Sequence, residues 1–335
     1  MEDHGAVWNA GHDCVGARLE TDVVLDWIVE FERRFRDAPH AAFGFVTRLT
    51  HEDVRKAAPA DAPYERFLRR LRDDGLLERT VLVLYSDHGM RFGQLRRTYV
   101  GKLEERLPFF VVRLPPRLSR AHRRLSAALS VNARRLTTPF DVYETLADLM
   151  EFDGTARHGC GAVLRRGCSL LAEVPARRTC EDAGVLPHWC ACHETEPVRP
   201  SDPAVQRAAD AVVRYINDQL AVHRGRCAPL QLGAALDARR VRPRDDLVRF
   251  RSSRHDVLGR TVEFDGAAAA ARSRVDEYQL TLETSPGGAV FEATVRCQGD
   301  DDESVQIADI SRINAYGDQS TCIDVHSHKK FCYCV

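Results

Sequence analysis

Two segments in the first quarter of the chain carry apolar residues at the spacing of an amphipathic helix. The first covers residues 21–36 behind a Thr-Asp start. Its apolar positions are Val24, Trp27, Ile28, Phe31 and Phe35. The second covers residues 63–74, with Asp61 placed to cap its start and Gly75 where a left-handed terminator belongs. Because apolar residues at this spacing share one helix face, both segments are predicted to be helices that pack against a core.

Short apolar runs alternate with these helices. Residues 42–46 are a strand candidate, residues 80–85 are apolar on both faces, and residues 109–112 form another apolar run. A strand that is apolar on both faces is typical of the centre of a parallel sheet. Thr138-Pro139 then opens a further helical pattern. Strands and helices that alternate at these intervals predict an α/β sandwich built on a parallel sheet.

The pattern changes after Glu151. A stretch rich in Cys, Gly and Arg runs to about residue 200, and a long helical pattern follows at residues 203–223. Residues 278–282 and 290–295 then alternate between apolar and polar side chains, which indicates antiparallel strands. The fold class predicted for this second part is a cystine-rich, mainly β region.

The length of the chain, 335 residues, is enough for about two domains. Three prolines fall close together between Pro197 and Pro203. We therefore predict an α/β domain over residues 1–199 and a helix followed by a cystine-stabilised β domain over residues 200–335.

Composition excludes some classes of partner. Hydrophobic residues make up 44% of the chain, and 48 basic residues are balanced by 49 acidic ones. A chain without a basic excess lacks the electrostatic footprint of a nucleic-acid-binding protein. No apolar run approaches the ~18 residues of a membrane span. We expect no nucleic-acid partner and no transmembrane segment, and the sequence does not name an extracellular partner or substrate.

The eleven cysteines are unevenly distributed. Cys14 stands alone, and the other ten fall between Cys160 and Cys334. Clusters such as Cys332-Tyr-Cys334 are typical of a disulfide-stabilised secreted segment. Ten clustered cysteines allow five bridges, in a pairing that the sequence does not fix, and they leave Cys14 over.

Zinc is the alternative interpretation of the C-terminal cysteines. Five residues there could supply the four ligands of a zinc ion, although their spacing matches none of the familiar zinc-finger patterns. These residues are Cys322, His326, His328, Cys332 and Cys334.

The first residues do not look like a secretory leader. The chain begins Met-Glu-Asp-His, whereas a leader has a charged start followed by an apolar stretch. Together with the cysteines, this favours a fragment of a protein that is extracellular or in the lumen of the secretory pathway.

The candidate chemistry lies after the apolar run at residues 80–85. Asp87 and His88 follow that run, and Gly89 permits a turn that brings both side chains toward one point. In open parallel sheets, ligands bind beyond the carboxyl ends of strands. A carboxylate oxygen and an imidazole nitrogen suit a divalent ion such as Zn²⁺ or Mn²⁺. The plain alternative is an Asp that caps a turn and a His that forms an ordinary hydrogen bond. The same tripeptide also occurs at residues 3–5.

Several segments together resemble one known family. They are SDHGMRFG (residues 86–93), LEERLPF (103–109), LTTPFD (136–141), RTCEDAGVLPHWCAC (178–192) and the tail with Arg312-Ile-Asn and Cys332-Tyr-Cys334. The chain resembles the animal family of extracellular or membrane-anchored proteins called domain of unknown function 229, within the alkaline-phosphatase/sulfatase superfamily.

The resemblance implies a partial alkaline-phosphatase-like α/β core in residues 1–199. It also implies that Asp87 and His88 are metal ligands, for Zn, Mn or Ca. In that superfamily a Ser, Thr or modified Cys attacks phosphorus or sulfur with the help of divalent metal. The nucleophile lies well upstream of the Asp-His pair, and Cys14-Val-Gly already resembles a later segment of the family. We therefore expect an amino-terminally truncated member and assign no catalytic residue.

Two further residues are candidates for substrate contact or metal ligation. His51 follows a predicted strand, and its alternative interpretation is a turn histidine. Thr47 stands where two-metal members carry an Asp, so a second complete metal site is not expected. Lys102 is similar in position to a sulfate-binding lysine of sulfatases, and its alternative is a solvated surface lysine. Glu104, Glu105 and Arg106 are predicted to form structural ion pairs around the turn at Pro108.

Two functions from different classes follow. The first is a metal-dependent hydrolase of phosphate or sulfate esters in the full-length parent, inactive as this chain. The second is a non-catalytic extracellular binding protein that reuses the hydrolase fold.

Overall fold

A computed structural model describes residues 14–51, 54–161, 166–242, 275–298 and 305–335. The chain divides into two compact units. Unit 1 contains the described residues up to Met90 together with Leu107–Ala183, and unit 2 contains Arg91–Arg106 and Gly184–Val335. Residue 199 therefore lies inside unit 2. As statements about independently folding domains, the boundaries 1–199 and 200–335 stay predictions.

Helices and strands are both well represented, which confirms the mixed α/β class. The helices are α1 Glu20–Phe35, α2 Arg48–His51, α3 Ala57–Asp73, α4 Tyr99–Arg106, α5 Pro116–Ala121, α6 Arg123–Asn132, α7 Pro139–Met150, α8 Pro203–Leu220 and α9 His326–Lys329. The strands are β1 Cys14–Val15, β2 Arg18–Leu19, β3 Leu82–Tyr85, β4 Phe110–Arg113, β5 Thr195–Pro197, β6 Gln231–Val241, β7 Val275–Ser285, β8 Ala289–Gln298 and β9 Val305–Arg312. Among the described residues, no helix has the length and apolar content that crossing a membrane requires.

Helices α1 and α3 pack together in unit 1. Leu25 and Val29 of α1 are buried in one cluster with Phe67 of α3. The helix predicted at residues 21–36 is confirmed, but its buried face is not the predicted one, since Trp27 is 56% exposed and Phe35 is 45% exposed. The aromatic side chains of this face stack along the helix surface instead of entering the core.

The second predicted helix is longer than expected. Helix α3 begins at Ala57, so Asp61 and Pro63 lie inside it, and the predicted cap at Asp61 is wrong. Helix-favouring alanines at positions 57, 58 and 60 extend the helix toward the amino terminus. Gly75 has a φ of +69°, as a left-handed terminator requires.

Strands β3 and β4 pair with each other in antiparallel register, from Leu82 opposite Arg113 to Tyr85 opposite Phe110. The expected parallel pairing of β3 is therefore wrong for this pair of strands. The physical reason is that β3 is only half-buried, and Tyr85 at its end is exposed. An apolar run on such a strand need not be covered by helices on both faces, as a central parallel strand is.

The strand predicted at residues 42–46 is also wrong. This segment has no regular secondary structure and pairs with no described strand. Phe43 and Phe45 stack on each other and remain largely exposed. Gly44 lies against Ile28 and Val24 of α1, where a Cβ atom would meet the Ile28 side chain at 2.6 Å. The segment therefore packs on a helix and not in a sheet.

A buried ion pair connects the helix α7 with the segment that follows it. Thr138 precedes α7, as predicted, and its backbone N–H donates to Asp141. The fully buried Asp141 carboxylate also accepts from Arg178 at 2.8 Å and from the backbone N–H of Cys168 at 2.8 Å. Cys168 is joined to Cys160 by a disulfide. These contacts fix the loop after α7 within unit 1.

Unit 2 is built on a five-stranded antiparallel sheet in the order β5-β6-β7-β8-β9. The antiparallel strands predicted around residues 278–282 and 290–295 are confirmed as β7 and β8. Helix α8 lies against this sheet through buried Val205, Val212 and Ile216, and the fully buried Phe291 of β8 is in the same core. Asp202 caps α8 by accepting from the backbone N–H of Ala204 at 2.8 Å.

Eight of the eleven cysteines are in disulfides. In unit 2 the bridges Cys227–Cys332 and Cys322–Cys334 lie side by side. Because these cysteines are bonded to each other, the zinc alternative for the C-terminal residues is wrong in this structure. The fifth bridge that ten clustered cysteines allow does not form, since Cys297 is a buried thiol on β8.

Candidate metal centre

Asp87 and His88 lie where the chain leaves the hairpin of unit 1. The backbone N–H of Ser86 still donates to the carbonyl of Phe109 at 3.1 Å, one residue beyond β3. After Ser86 the chain has no regular structure up to Arg91. The pair therefore follows a strand end, as predicted, although the strand belongs to an antiparallel hairpin.

Local hydrogen bonds orient both side chains. One carboxylate oxygen of Asp87, Oδ1, accepts from the backbone N–H of His88 at 2.8 Å. The Nδ1 atom of His88 lies 2.7 Å from the carbonyl oxygen of Gly89, so Nδ1 carries the proton and donates it. This leaves Oδ2 of Asp87 and Nε2 of His88 with unshared lone pairs.

The two remaining ligand atoms face each other. Nε2 of His88 lies 3.4 Å from Oδ2 of Asp87, and both side chains are reached by solvent, at 34% and 54% exposure. Metal-bound histidines commonly donate their other ring nitrogen to a carbonyl or carboxylate, which is the arrangement that His88 shows. The donor atoms therefore fit two adjacent ligands of one divalent ion.

No third protein ligand joins them among the described residues. The groups of three or more His, Cys, Asp or Glu that lie close enough to share an ion do not include Asp87 or His88. A metal held here would take its other ligands from solvent or substrate. Among the described residues, the protein itself therefore offers two ligand atoms at this point.

His51 is not brought into this group. It ends the short helix α2, is exposed, and donates its backbone N–H to the carbonyl of Thr47 at 3.1 Å. The strand that was expected before it is absent from the described residues 42–46. Its role as a ligand or oxyanion contact stays a prediction.

Lys102 belongs to unit 2, on α4, and it is only 7% exposed. Its ammonium donates to Gln279 and forms an ion pair with Glu292 at 3.1 Å. Burial lowers the pKa of Lys102 to about 8, against the opposing effect of Glu292. The alternative interpretation of a solvated surface lysine is therefore wrong. Its role in oxyanion binding stays a prediction, and an anion would have to compete with Glu292.

Lys102 is one member of a set of buried charges that we call the buried charge cluster. Its members are Arg96, Lys102, Glu105, Arg106 and Glu292. Glu292 accepts ion pairs from Arg96 at 2.7 Å and from Arg106 at 2.6 Å. Burial alone would raise the pKa of Glu292, but the three surrounding cations lower it to about 2. The predicted structural role of Glu105 and Arg106 is confirmed.

His188 and Trp189 lie beside this cluster in unit 2. The ring nitrogens of His188 are each 2.9 Å from a hydroxyl, of Thr294 on one side and Ser311 on the other. Burial lowers the pKa of His188 to about 4. The guanidinium of Arg106 stacks over Trp189, 5.1 Å from the ring centroid. This contact joins two of the motif segments found in the sequence, because Arg106 belongs to LEERLPF and Trp189 to RTCEDAGVLPHWCAC.

Sequence reasoning missed Glu292, Gln279 and the environment of His188. A charged residue within the apolar stretch of β8, Val290-Phe291-Glu292-Ala293, was the available signal. A carboxylate at a buried strand position requires partners, because an unpaired buried charge is costly.

The comparisons with known proteins agree with the motifs. No curated protein and no solved structure matches the chain. The family described as protein of unknown function (DUF229) matches residues 1–235. This match covers more than half of the chain, and the protein belongs to the DUF229 family.

Proposed function

We propose that this protein is of sulfatase- and alkaline-phosphatase-like ancestry and that Asp87 and His88 hold a divalent metal ion, Zn²⁺, Mn²⁺ or Ca²⁺. The observation that carries the proposal is the 3.4 Å separation between Oδ2 of Asp87 and Nε2 of His88, with their other polar atoms already bonded. Both side chains are exposed to solvent, at 54% for Asp87 and 34% for His88, so an ion can approach the pair from solvent.

The metal would supply a Lewis acid that stabilises a developing negative charge on a phosphate or sulfate ester. The protein would contribute the orientation of two ligands. No nucleophile is assigned, and two protein ligands hold a divalent ion weakly. We therefore expect this chain to bind metal without hydrolysing esters by itself.

The proposed location is extracellular or in the lumen of the secretory pathway. Eight cysteines in disulfides support it, because such bonds persist in oxidising compartments. The two adjacent bridges of unit 2 belong to its hydrophobic core: Cys227 and Cys332 are buried in it, and Cys322 and Cys334 pack against it.

A second candidate is a non-catalytic extracellular binding protein. The burial of Lys102 favours it, because the lysine that the resemblance assigns to sulfate is neutralised by Glu292 inside unit 2. A hydrolase site that has lost its anion contact would retain the fold and not the reaction.

Thermal melting in the presence of Mn²⁺ tests the proposal. An ion that binds only the folded protein raises the melting temperature with concentration. We expect this rise for the wild-type chain and its loss in Asp87→Asn and His88→Gln. The matched control is the double substitution Asp3→Asn with His4→Gln, which alters the same tripeptide outside the described residues. An equal rise in all four proteins would contradict the proposal.

Turnover tests the expected inactivity of this chain. With p-nitrophenyl phosphate and p-nitrophenyl sulfate in excess Mn²⁺ or Zn²⁺, we expect the wild-type chain to match Asp87→Asn at background. Hydrolysis that Asp87→Asn abolishes would show a competent hydrolase and would contradict the expected inactivity.

A further inference from the structure

Two histidines of unit 2 that no proposed role uses are in direct contact. Nε2 of His223 lies 3.0 Å from Nδ1 of His328, and the two rings are nearly perpendicular, at 78°. Both residues are half-buried. His223 lies in the short turn after α8, and His328 lies in α9, 105 residues later. We call these residues the His223–His328 pair.

A disulfide fixes the position of both rings. Cys227 follows His223 by four residues, and Cys332 follows His328 by four residues. These two cysteines are bonded to each other. Each histidine carbonyl accepts from the backbone N–H of the cysteine four residues on, at 3.1 Å in both segments. The two segments thus have the same local structure, with sulfur joined to sulfur and imidazole facing imidazole.

We propose that the His223–His328 pair is a two-imidazole site for a tetragonal transition-metal ion, Cu²⁺ or Ni²⁺. With metal–nitrogen bonds of about 2.0–2.1 Å, nitrogens 3.0 Å apart subtend about 91–97° at the ion. That is the angle of adjacent ligands in square-planar or octahedral coordination. A tetrahedral ion such as Zn²⁺ needs a separation of about 3.3–3.4 Å.

The chemistry of the donors agrees with the geometry. Imidazole nitrogen suits Cu²⁺ and Ni²⁺, and Cu²⁺ is the strongest binder of the divalent first-row series. In the present contact one ring donates its N–H to the other. To bind an ion, the donor ring moves that proton to its other nitrogen by exchange with solvent, so both facing nitrogens offer lone pairs.

The ion can reach the site from solvent. A cavity of about 420 Å³ opens beside His328, and its lining includes His326 and Asp309. No third ligand is close enough to complete a group of three among the residues that the structure describes. Water occupies the other coordination positions, which is normal for a site with two protein ligands on a surface cavity.

The test is isothermal titration calorimetry of the full chain with its disulfides intact. Cu²⁺ and Ni²⁺ are titrated in separate experiments. In the Asp87→Asn, His88→Gln background, which removes the other proposed metal site, we expect one ion per chain. In that background His223→Gln or His328→Gln should weaken binding about tenfold or more. His122→Gln, in unit 1, is the control and should change the affinity by less than about twofold, because His122 lies outside the pair and outside unit 2. Unchanged affinity in both pair variants, or an equal loss in His122→Gln, would overturn the proposal.

Two further experiments identify the donor atoms and the site that holds the ion. The electron paramagnetic resonance spectrum of Cu²⁺ on the wild-type chain should show two nitrogen donors, and a spectrum with oxygen donors alone would overturn the proposal even where a variant fails to fold. The double substitution Asp87→Asn with His88→Gln should leave Cu²⁺ binding at the pair unchanged. Loss of this binding in that variant would assign the ion to the Asp87–His88 pair instead and overturn the proposal.

Discussion

Glu292 is the residue on which the buried charge cluster depends. Its carboxylate is 3% exposed and pairs with Arg96, Lys102 and Arg106. Glu105 is the other carboxylate of the cluster, so three cations face two anions. Removing one partner of a buried ion pair leaves uncompensated charge in a region of low dielectric, which is more costly than the pair is stabilising.

The substitution Glu292→Gln tests this dependence. The amide keeps the shape of the side chain but leaves three cations with one carboxylate, and we expect the free energy of unfolding to fall by about 3–5 kcal/mol. Denaturant unfolding of the full chain measures it. The control is Glu277→Gln on β7, whose partner Arg296 is partly exposed, with an expected loss below about 1 kcal/mol. Equal losses in the two variants would contradict the buried role of Glu292.

His188 makes the free energy of unfolding depend on pH, because burial disfavours its charged form. Burial lowers the pKa of the folded His188 to about 4, whereas an unfolded histidine has a pKa near 6.5. Between these values the unfolded chain binds a proton at this residue and the folded chain does not. The free energy of unfolding therefore falls as pH decreases from about 6.5 to about 4.

The prediction for His188→Gln follows from that sign. The variant lacks the titrating ring, so its free energy of unfolding should decline less steeply than that of the wild type from pH 6.5 to pH 4.5. The difference in slope should correspond to at most about one proton taken up on unfolding. Denaturant titrations at several pH values give both curves. Parallel curves would show that this histidine does not carry the effect.

Residues that are adjacent in the sequence could be predicted to converge, whereas contacts between distant residues could not. Asp87 and His88 could be identified because adjacent residues after an apolar run need only a local turn to converge. The partners of Lys102, by contrast, are 177 and 190 residues away along the chain. No local pattern contains such a pairing, so the burial of Lys102 could be seen only in the folded chain.

At the scale of elements, helices with strong periodicity and clear ends were predicted well. Helix α7 begins at Pro139 after the capping residue Thr138, and α8 begins at Pro203 after the capping residue Asp202, as the capping and proline preferences favour. The strands of unit 1 were harder to place, because an apolar run specifies neither its partner nor its direction. The antiparallel β3–β4 hairpin, in place of a parallel sheet, is the result of that ambiguity.

The cap of α8 gives a prediction at this scale. Asp202→Ala removes the side chain that accepts from the backbone N–H of Ala204, and we expect a loss of about 1 kcal/mol in the free energy of unfolding. Asp210→Ala makes the same change at an exposed position within α8 and should have little effect or a slight gain, since alanine favours helix. Two equal losses would exclude capping as the cause.

At the scale of the whole molecule, the disulfides differ in what they constrain. Cys227–Cys332 joins residues 105 apart, and Cys322–Cys334 joins residues 12 apart. A bridge that closes a longer loop removes more conformational freedom from the unfolded chain. The first bridge therefore holds the helix end near His223 to the C-terminal segment, while the second holds that segment to itself.

Paired serine substitutions should show the difference. On the chain-entropy estimate, Cys227→Ser with Cys332→Ser costs about 5 kcal/mol, and Cys322→Ser with Cys334→Ser costs about 3 kcal/mol. Denaturant unfolding of the two double variants measures the order. A larger loss from the short bridge would contradict loop closure as the main contribution.

We propose above that Asp87 and His88 form half of a divalent-metal site at the end of β3. Titration with Mn²⁺ tests this proposal, with the free ion measured by electron paramagnetic resonance, because bound Mn²⁺ is lost from the six-line signal of the free ion. We expect one bound Mn²⁺ per wild-type chain and none at the same concentrations in Asp87→Asn or His88→Gln. Full retention of the bound ion in both variants would contradict it.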